Sequence, residues 1–276
     1  MPGCGLIKKA GTKAPKKSEN EGRNDTVFEV AEMLDQAYWI SWYNLAEEGR
    51  EAYLSWLHAS YIPMVLERPG VLWGAHYASE ENVIPLGGGK GRVSHAKPDS
   101  VPAGDRFILI FGGEEAHTFA NPSPHRFHLQ LPEQDLKMLA LRSGERVNVM
   151  LEEARVYGPE APDYDLAPSP CIQLGSFNSG SIEEEDGMLT WYAQWRLPSM
   201  KALPGCVRVR KLVSVSGWAK HACFYEFTSL EARNEHFVHY ERANPEMEAW
   251  SKRVVRNTVH APGSANVARR ICLEVK

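Results

Sequence analysis

The sequence predicts an α+β protein in which a β-α-β-β-α-β unit, the ferredoxin-like arrangement, occurs twice. Two aromatic segments resemble each other and are interpreted as the first strand of each half: 38–43 (YWISWY) and 191–196 (WYAQWR). Each segment is followed by a Pro-Gly pair, at 69–70 and at 204–205, and then by an apolar run. Because similar segments in the same order indicate repeated structural units, we expect two related sheets in one chain.

The first half is predicted to contain every element of the unit. The interval between Trp42 and Pro69 has room for a helix of about five turns, which we place at 47–67. Two further strands, a second helix and a closing strand are predicted, in that order, at 71–77, 107–111, 133–155 and 172–174.

The second half is predicted to be less complete. Only nine positions separate Trp195 from Pro204, so this half should lack most of its first helix. Its sheet would then be uncovered or covered by another segment. Its later elements are two strands, a helix and a last strand, predicted at 206–208, 222–227, 229–256 and 266–275.

These elements divide the chain into three parts. Residues 1–27 carry six basic and three acidic side chains without apolar periodicity, and we interpret them as a disordered basic tail. Residues 28–180 form the first ferredoxin-like unit, with an inserted loop at 80–104 that is rich in glycine and proline. Residues 181–276 form the second unit, after an acidic run that we interpret as a linker.

Composition excludes several classes of function. The 276 residues have a net charge of -4, which argues against nucleic acid as a partner of the folded body. No apolar run is long enough for a membrane span, and the N-terminus lacks the apolar stretch of a signal peptide. The five cysteines are odd in number and form no C-x-x-C pair, as expected of reduced thiols in a cytoplasmic protein.

One helix carries a resemblance to a known family. The run Trp56-Leu57-His58-Ala59-Ser60-Tyr61-Ile62-Pro63, followed by Pro69-Gly70, resembles the first helix of the dimeric α+β barrel superfamily, especially its EthD-like members. That resemblance implies two ferredoxin-like units packed sheet to sheet, here within one duplicated chain, and it admits pairing of two chains as a homodimer. The histidine of the family pattern falls on Tyr61, and His58 lies one turn earlier.

Three residues are the predicted catalytic groups. His58 and Tyr61 are three positions apart on the predicted helix, so both side chains can face one cavity. His221 lies on an apolar strand in the half whose sheet is expected to lack a helix. A histidine can exchange a proton near neutral pH, and a phenol beside it can donate a proton or hold an oxyanion.

Aromatic and cationic side chains form the predicted substrate-binding set. The chain has 8 Trp beside 9 Phe and 10 Tyr, and several indoles on neighbouring strands would suit a flat aromatic ligand. Trp39 and Trp42 should face opposite sides of their strand, because they are an odd number of positions apart. The predicted binding residues are Trp39, Trp42, His76, Tyr192, Trp195 and Arg210.

The predicted function is a lyase or cyclase that uses His, Tyr and Arg groups on an apolar, aromatic, oxygenated small molecule, by dehydration or by retro-aldol loss of a small aldehyde. No cofactor is expected, since neither a dinucleotide motif nor a phosphate loop occurs, and no metal is expected, since no H-E-x-x-H occurs. Two alternatives stay open: a monooxygenase, cofactor-free or with His221 as a haem ligand, and a non-catalytic binding protein.

Overall fold

The computed structural model describes residues 7–8, 34–81, 83–85, 93–97, 99–162 and 168–271. These residues form eleven strands: β1 (Ile7–Lys8), β2 (Ala37–Asn44), β3 (Val71–Ser79), β4 (Ser94–His95), β5 (Phe107–Gly113), β6 (Ser143–Tyr157), β7 (Cys171–Ser179), β8 (Cys206–Ser216), β9 (His221–Phe227), β10 (Thr258–His260) and β11 (Asn266–Arg270).

Helices connect the strands on the outside of the sheet. Helix α1 has three consecutive parts (Arg50–Trp56, Leu57–Tyr61 and Ile62–Leu66), and so does α4 (Ile182–Trp191, Tyr192–Arg196 and Leu197–Met200); the middle part of each is a π-helix. The others are α2 (Pro124–His128), α3 (Glu133–Leu139), α5 (Leu230–Ala232, then Arg233–Phe237) and α6 (Pro245–Arg256), with short 3₁₀ turns at Ala116–Phe119 and Tyr240–Ala243.

Eight strands close into an antiparallel barrel, in the order β2-β5-β3-β11-β7-β9-β8-β6 and back to β2. Strand β11 joins the two halves, since it pairs with β3 on one side and with β7 on the other. Closure leaves no free edge in the barrel, so the backbone groups of all eight strands can pair. The molecule is therefore an α+β protein built on a closed barrel.

Alternation along each strand divides the core into three clusters. Trp39 packs under the helices of the first half, whereas Trp42 and Trp73 lie inside the barrel with Tyr38 and Phe224. The prediction that Trp39 and Trp42 face opposite sides of one strand is confirmed. A third cluster fills the space between the second half of the sheet and its helices.

The segment 191–196 was predicted to be a strand, and that prediction is wrong. It lies in α4, whose first turn is capped by the Ser181 hydroxyl, which accepts a hydrogen bond from the amide of Glu184. The acidic run predicted to be a linker forms this first turn, where negative charge is favourable. The second half therefore has a first helix, and its sheet is covered.

Two further boundaries differ from prediction. Residues 133–155, predicted as one helix, contain the short α3 and then most of β6, a fifteen-residue strand. Residues 172–174 were predicted to close the first half, but they lie in β7, which pairs with the later strands β9, β10 and β11, so the second half of the sheet begins with β7.

The predicted tail and inserted loop are described in part. Strand β1 lies within the predicted tail and pairs antiparallel with β3. Strand β4 lies within the predicted loop and pairs in parallel with β10. The other residues of 1–27 and most of the loop's glycine-rich part lie outside the described residues. No helix in the described part of the chain has both the length and the apolar character needed to cross a membrane.

Candidate functional site

A cavity of about 390 Å³ lies in the second half, between the outer face of the sheet and the helices that cover it. Its apolar wall comes from β7, α4 and α6, through Phe177, Met188, Trp191, Val254 and Val255. Residues of the predicted insertion complete the wall on one side: Val83, Pro85, Val93 and His95. The cavity is thus mostly apolar, with a small number of polar groups facing it.

Two arginines line this cavity, and the first is neutralised by the protein. Arg196 ends the π-helix of α4, and its Nη1 lies 2.6 Å from Oε1 of Glu241. Its Nε donates to the hydroxyl of Tyr225 at 2.7 Å, and its guanidinium stacks over Trp191. Because a buried carboxylate already balances this charge, Arg196 serves to hold Tyr225 in place.

The second arginine has only neutral partners among the described residues. Arg233 is 1% exposed; its Nε and Nη2 donate to Oε1 of Gln173 at 3.0 and 2.7 Å. Its Nη1 donates to the carbonyl of Ile84 and to Oδ1 of Asn234, each at 2.7 Å. Burial lowers its pKa to about 10. At neutral pH Arg233 therefore carries a positive charge at the cavity wall that no carboxylate among the described residues balances, and an anionic oxygen would be stabilised there.

Two histidines face the cavity near Ser264. Nε2 of His95 lies 2.6 Å from the carbonyl oxygen of Ser264, and Nδ1 of His260 lies 3.2 Å from the Ser264 hydroxyl. Burial, with a smaller contribution from His95, lowers the pKa of His260 to about 3. His260 is therefore neutral at physiological pH.

Two tyrosines complete the polar lining. Burial raises the pKa of Tyr192 and of Tyr225 well above the ordinary value, so both are neutral phenols. The Tyr225 oxygen accepts from Arg196, which leaves its own proton for another acceptor. Tyr192 is the one predicted substrate-binding residue in the cavity wall.

The predicted catalytic pair of the first half lies in a different place. His58 and Tyr61 are both on α1. Nε2 of His58 lies 3.0 Å from Nδ1 of His76, which is on β3. Nε2 of His76 in turn lies 2.8 Å from the Tyr43 hydroxyl, and the Tyr61 hydroxyl lies 2.7 Å from Nε2 of His128. The structure thus brings His58 and His76 together, but the wall of the cavity in the second half contains neither.

The partly buried His128 of this cluster predicts a loss of stability in acid. Burial, with a smaller effect of Arg142, lowers the pKa of His128 to about 4. Between pH 6.5 and 4 the unfolded chain binds a proton at this residue that the folded chain does not. The free energy of unfolding therefore decreases as the pH is lowered, by at most about 1.4 kcal/mol per pH unit for this group. His128→Gln keeps an acceptor for Tyr61 and should lose less stability than the wild type between pH 7 and pH 4.5 in urea unfolding. Parallel pH curves would contradict this.

His221 and Trp195 lie beside the cavity without lining it. His221 stacks on Phe177 of the cavity wall, but Nδ1 lies 3.0 Å from Nζ of Lys211 and Nε2 lies 3.0 Å from Oε1 of Glu185. Both ring nitrogens are engaged, so the residues around His221 do not fit a haem ligand. Trp195 packs, partly exposed, against the second-half core.

Arg210 lies on the other face of the sheet, inside the barrel. It is fully buried, and its Nη2 lies 3.0 Å from Oδ2 of Asp35 while its Nη1 contacts Oε2 of Glu226. Arg208 also binds Glu226, with 2.6 Å between Nε and Oε2. The structure thus gives Arg210 buried carboxylate partners and no place in the cavity wall.

Sequence reasoning missed the residues that distinguish this cavity: Arg233, Gln173, His95 and His260. The one available signal was the run His260-Ala261-Pro262-Gly263-Ser264, which places a histidine and a serine four positions apart on either side of a Pro-Gly pair. Within the described ranges, no three His, Cys, Asp or Glu side chains are grouped so that they could hold a metal ion.

Comparisons with known proteins show the fold. No protein-family model matches the sequence, and no curated protein matches it. The structure is similar to that of an anthrone oxidase-like protein, with a TM-score of 0.54 and 9% identity over 86% of this chain and 92% of that one. It also matches a proposed monooxygenase from Lactobacillus acidophilus NCFM, with a TM-score of 0.45 and 11% identity over 87% of this chain and 100% of that one. The first likeness shows an α+β barrel fold shared at low identity.

Proposed function

We propose that the second half of this chain binds a flat, oxygenated aromatic molecule and oxidises it with molecular oxygen. The observation that carries the proposal is Arg233, a buried guanidinium with only neutral described partners, at the wall of a mostly apolar cavity. Such a charge stabilises an enolate or phenolate oxygen, and the aromatic walls take the rings. The volume of about 390 Å³ is within the ~300–1,000 Å³ typical of small-molecule sites.

The chemistry needs an acidic C–H group next to a conjugated carbonyl. A base removes the proton, and the negative charge moves to the carbonyl oxygen, where Arg233 and a tyrosine hydroxyl stabilise it. The electron-rich enolate then reduces O₂. In the balanced reaction a CH₂ group and O₂ yield a C=O group and water, so the carbon loses four electrons and O₂ gains four. The substrate itself supplies these electrons.

The wider fold proposal is that the barrel consists of two duplicated ferredoxin-like units. Identical residues lie 135 positions apart in α1 and α4 and just after them: Trp56 and Trp191, Pro63 and Pro198, Pro69-Gly70 and Pro204-Gly205. Both helices have a five-residue π-helix immediately after the tryptophan. The first unit contains the strands β2, β3, β5 and β6, and the second contains β7, β8, β9 and β11. If the strands of each unit are numbered 1 to 4 along the chain, both units have the strand order 4-1-3-2 in the sheet. These repeated features support an origin by duplication.

In this proposal the first unit has lost its ligand space. The outer face of its sheet carries Trp39, whose ring packs 5.3 Å from Phe111, 6.2 Å from Phe119 and 6.2 Å from Phe127. The second unit has Gln173 and Gly175 on β7, and both line the cavity. Chemistry is therefore assigned to the second unit.

Anthrone is a suitable first substrate, since it is a flat tricyclic ketone with an acidic methylene group, and one structural neighbour is described as anthrone oxidase-like. We expect the purified protein to convert anthrone to anthraquinone in air faster than a protein-free blank. With ¹⁸O₂, one labelled oxygen should enter the quinone. A rate equal to the blank, with no binding, contradicts the proposal.

Two further results would instead favour the other functions considered. Turnover of a hydroxylated ketone under nitrogen, with release of water or of a small aldehyde, would favour the lyase that the sequence predicts, and which stays a prediction. Binding of anthrone without turnover would favour a non-catalytic binding protein.

A further inference from the structure

We propose that Ser264 assigns opposite roles to the two cavity histidines, making His95 the general base and His260 a hydrogen-bond donor. This inference rests on the proposed function and names the residue that removes the substrate proton. Three observations carry it: the partner of each ring nitrogen, the strand pairing that positions His95, and the neutral state of His260.

The first observation concerns His95. A carbonyl oxygen only accepts hydrogen bonds, so the 2.6 Å contact between His95 Nε2 and the Ser264 carbonyl requires the hydrogen to be on Nε2. In the neutral ring Nδ1 then carries a lone pair. Within the described part of the chain Nδ1 has no hydrogen-bond partner, and the residue lines the cavity. His95 therefore presents an available base to a bound molecule.

The second observation concerns His260. The Ser264 hydroxyl oxygen accepts from the amide of Ser176 at 2.8 Å, and its other contact among the described residues is Nδ1 of His260 at 3.2 Å. If Nδ1 carried the hydrogen, the hydroxyl proton would have no acceptor among the described residues, so we assign that proton to the contact with Nδ1 and the hydrogen of the neutral imidazole to Nε2. His260 therefore offers an N–H donor where His95 offers a lone pair.

Strand pairing fixes both rings beside the cavity. In the parallel pair of β4 and β10, His95 is the register partner of His260, and the Ala96 amide donates to the His260 carbonyl at 2.7 Å. His95 is exposed to solvent, so a proton taken from the substrate can pass to water. Because His260 is neutral, it adds no positive charge beside His95.

Proton abstraction can be measured separately from oxidation. Anthrone is incubated with the protein in D₂O under nitrogen, and exchange of its methylene protons is followed by NMR, with binding measured in parallel. We expect His95→Gln to lower the protein-dependent exchange rate by about 100-fold or more, because it removes the base. The dissociation constant for anthrone should change by less than about threefold, because the glutamine amide can still donate to Ser264.

Two further variants keep the assignment falsifiable. His95→Ala should lose exchange equally, and added imidazole should restore part of it, which a structural role would not allow. Ser264→Ala removes the hydroxyl beside His260 but keeps the carbonyl that accepts from His95, so it should change the ¹⁵N shifts of His260 and leave those of His95 unchanged. If the exchange rate of His95→Gln is within about threefold of the wild-type rate, His95 is not the base, although the proposed function can still hold. Absence of exchange and binding in the wild type overturns the proposed function together with it.

Discussion

Replacement of Arg233 by methionine is expected to weaken the binding of an anionic aromatic ligand by roughly 10- to 100-fold. Methionine retains an apolar stem but removes the charge that faces the cavity, whose described partners are all neutral. A suitable probe is the phenolate of 2-hydroxyanthraquinone, with uncharged anthraquinone as its neutral counterpart. Fluorescence titration at a pH where the phenol is ionised gives both dissociation constants.

The controls separate charge from packing. Arg253→Met changes an exposed arginine on α6 and should alter neither constant. Arg233→Lys retains a charge but loses the planar fork that contacts Gln173, so its effect on the phenolate should be intermediate. If Arg233→Met weakened anthraquinone as much as the phenolate, the residue would act through packing, and the proposed anion site would be wrong.

Replacement of Arg210 by methionine is expected to lower the free energy of unfolding by about 3–5 kcal/mol. The substitution removes a fully buried cation and leaves the carboxylates of Asp35 and Glu226 in the barrel with one positive partner fewer. The matched control is Lys137→Met, which breaks an exposed ion pair with Glu133 and should cost no more than about 1 kcal/mol. Urea unfolding of the three proteins measures the difference.

Ligand binding by this variant tests the predicted role of Arg210. Because the side chain lies inside the barrel and the cavity lies outside it, the folded Arg210→Met protein should bind anthrone as the wild type does. A variant with unchanged stability and weakened binding would instead support the substrate-binding role that the sequence predicts. In the first outcome only the free energy of unfolding changes, and in the second only the dissociation constant for anthrone changes.

Strands that stand out as short, mostly apolar runs were predictable from the sequence. The apolar runs 71–77, 107–111 and 222–227 correspond to β3, β5 and β9. Trp39 and Trp42 were assigned to opposite faces because side chains alternate along a strand, whatever the strand packs against.

The segment 191–196 was misassigned because a short aromatic run fits a strand and a buried helix equally well. Here Trp191, Tyr192 and Arg196 all face the second-half core, since the π-helix widens the turn between them. Consequently the first helix of the second half was overlooked. The better repeat signal was the spacing of tryptophan, prolines and glycine in α1 and α4.

The cavity depends on residues from distant parts of the chain. His95 comes from the insertion of the first half, Arg233 from α5 and His260 from β10, and pairing of β4 with β10 brings the two histidines together. Local sequence patterns established the α+β class and the direction of individual side chains, since both depend on neighbouring residues. Closure of the barrel and burial of one arginine without a described carboxylate decided where a ligand can bind, because these are properties of contacts between segments far apart in the sequence.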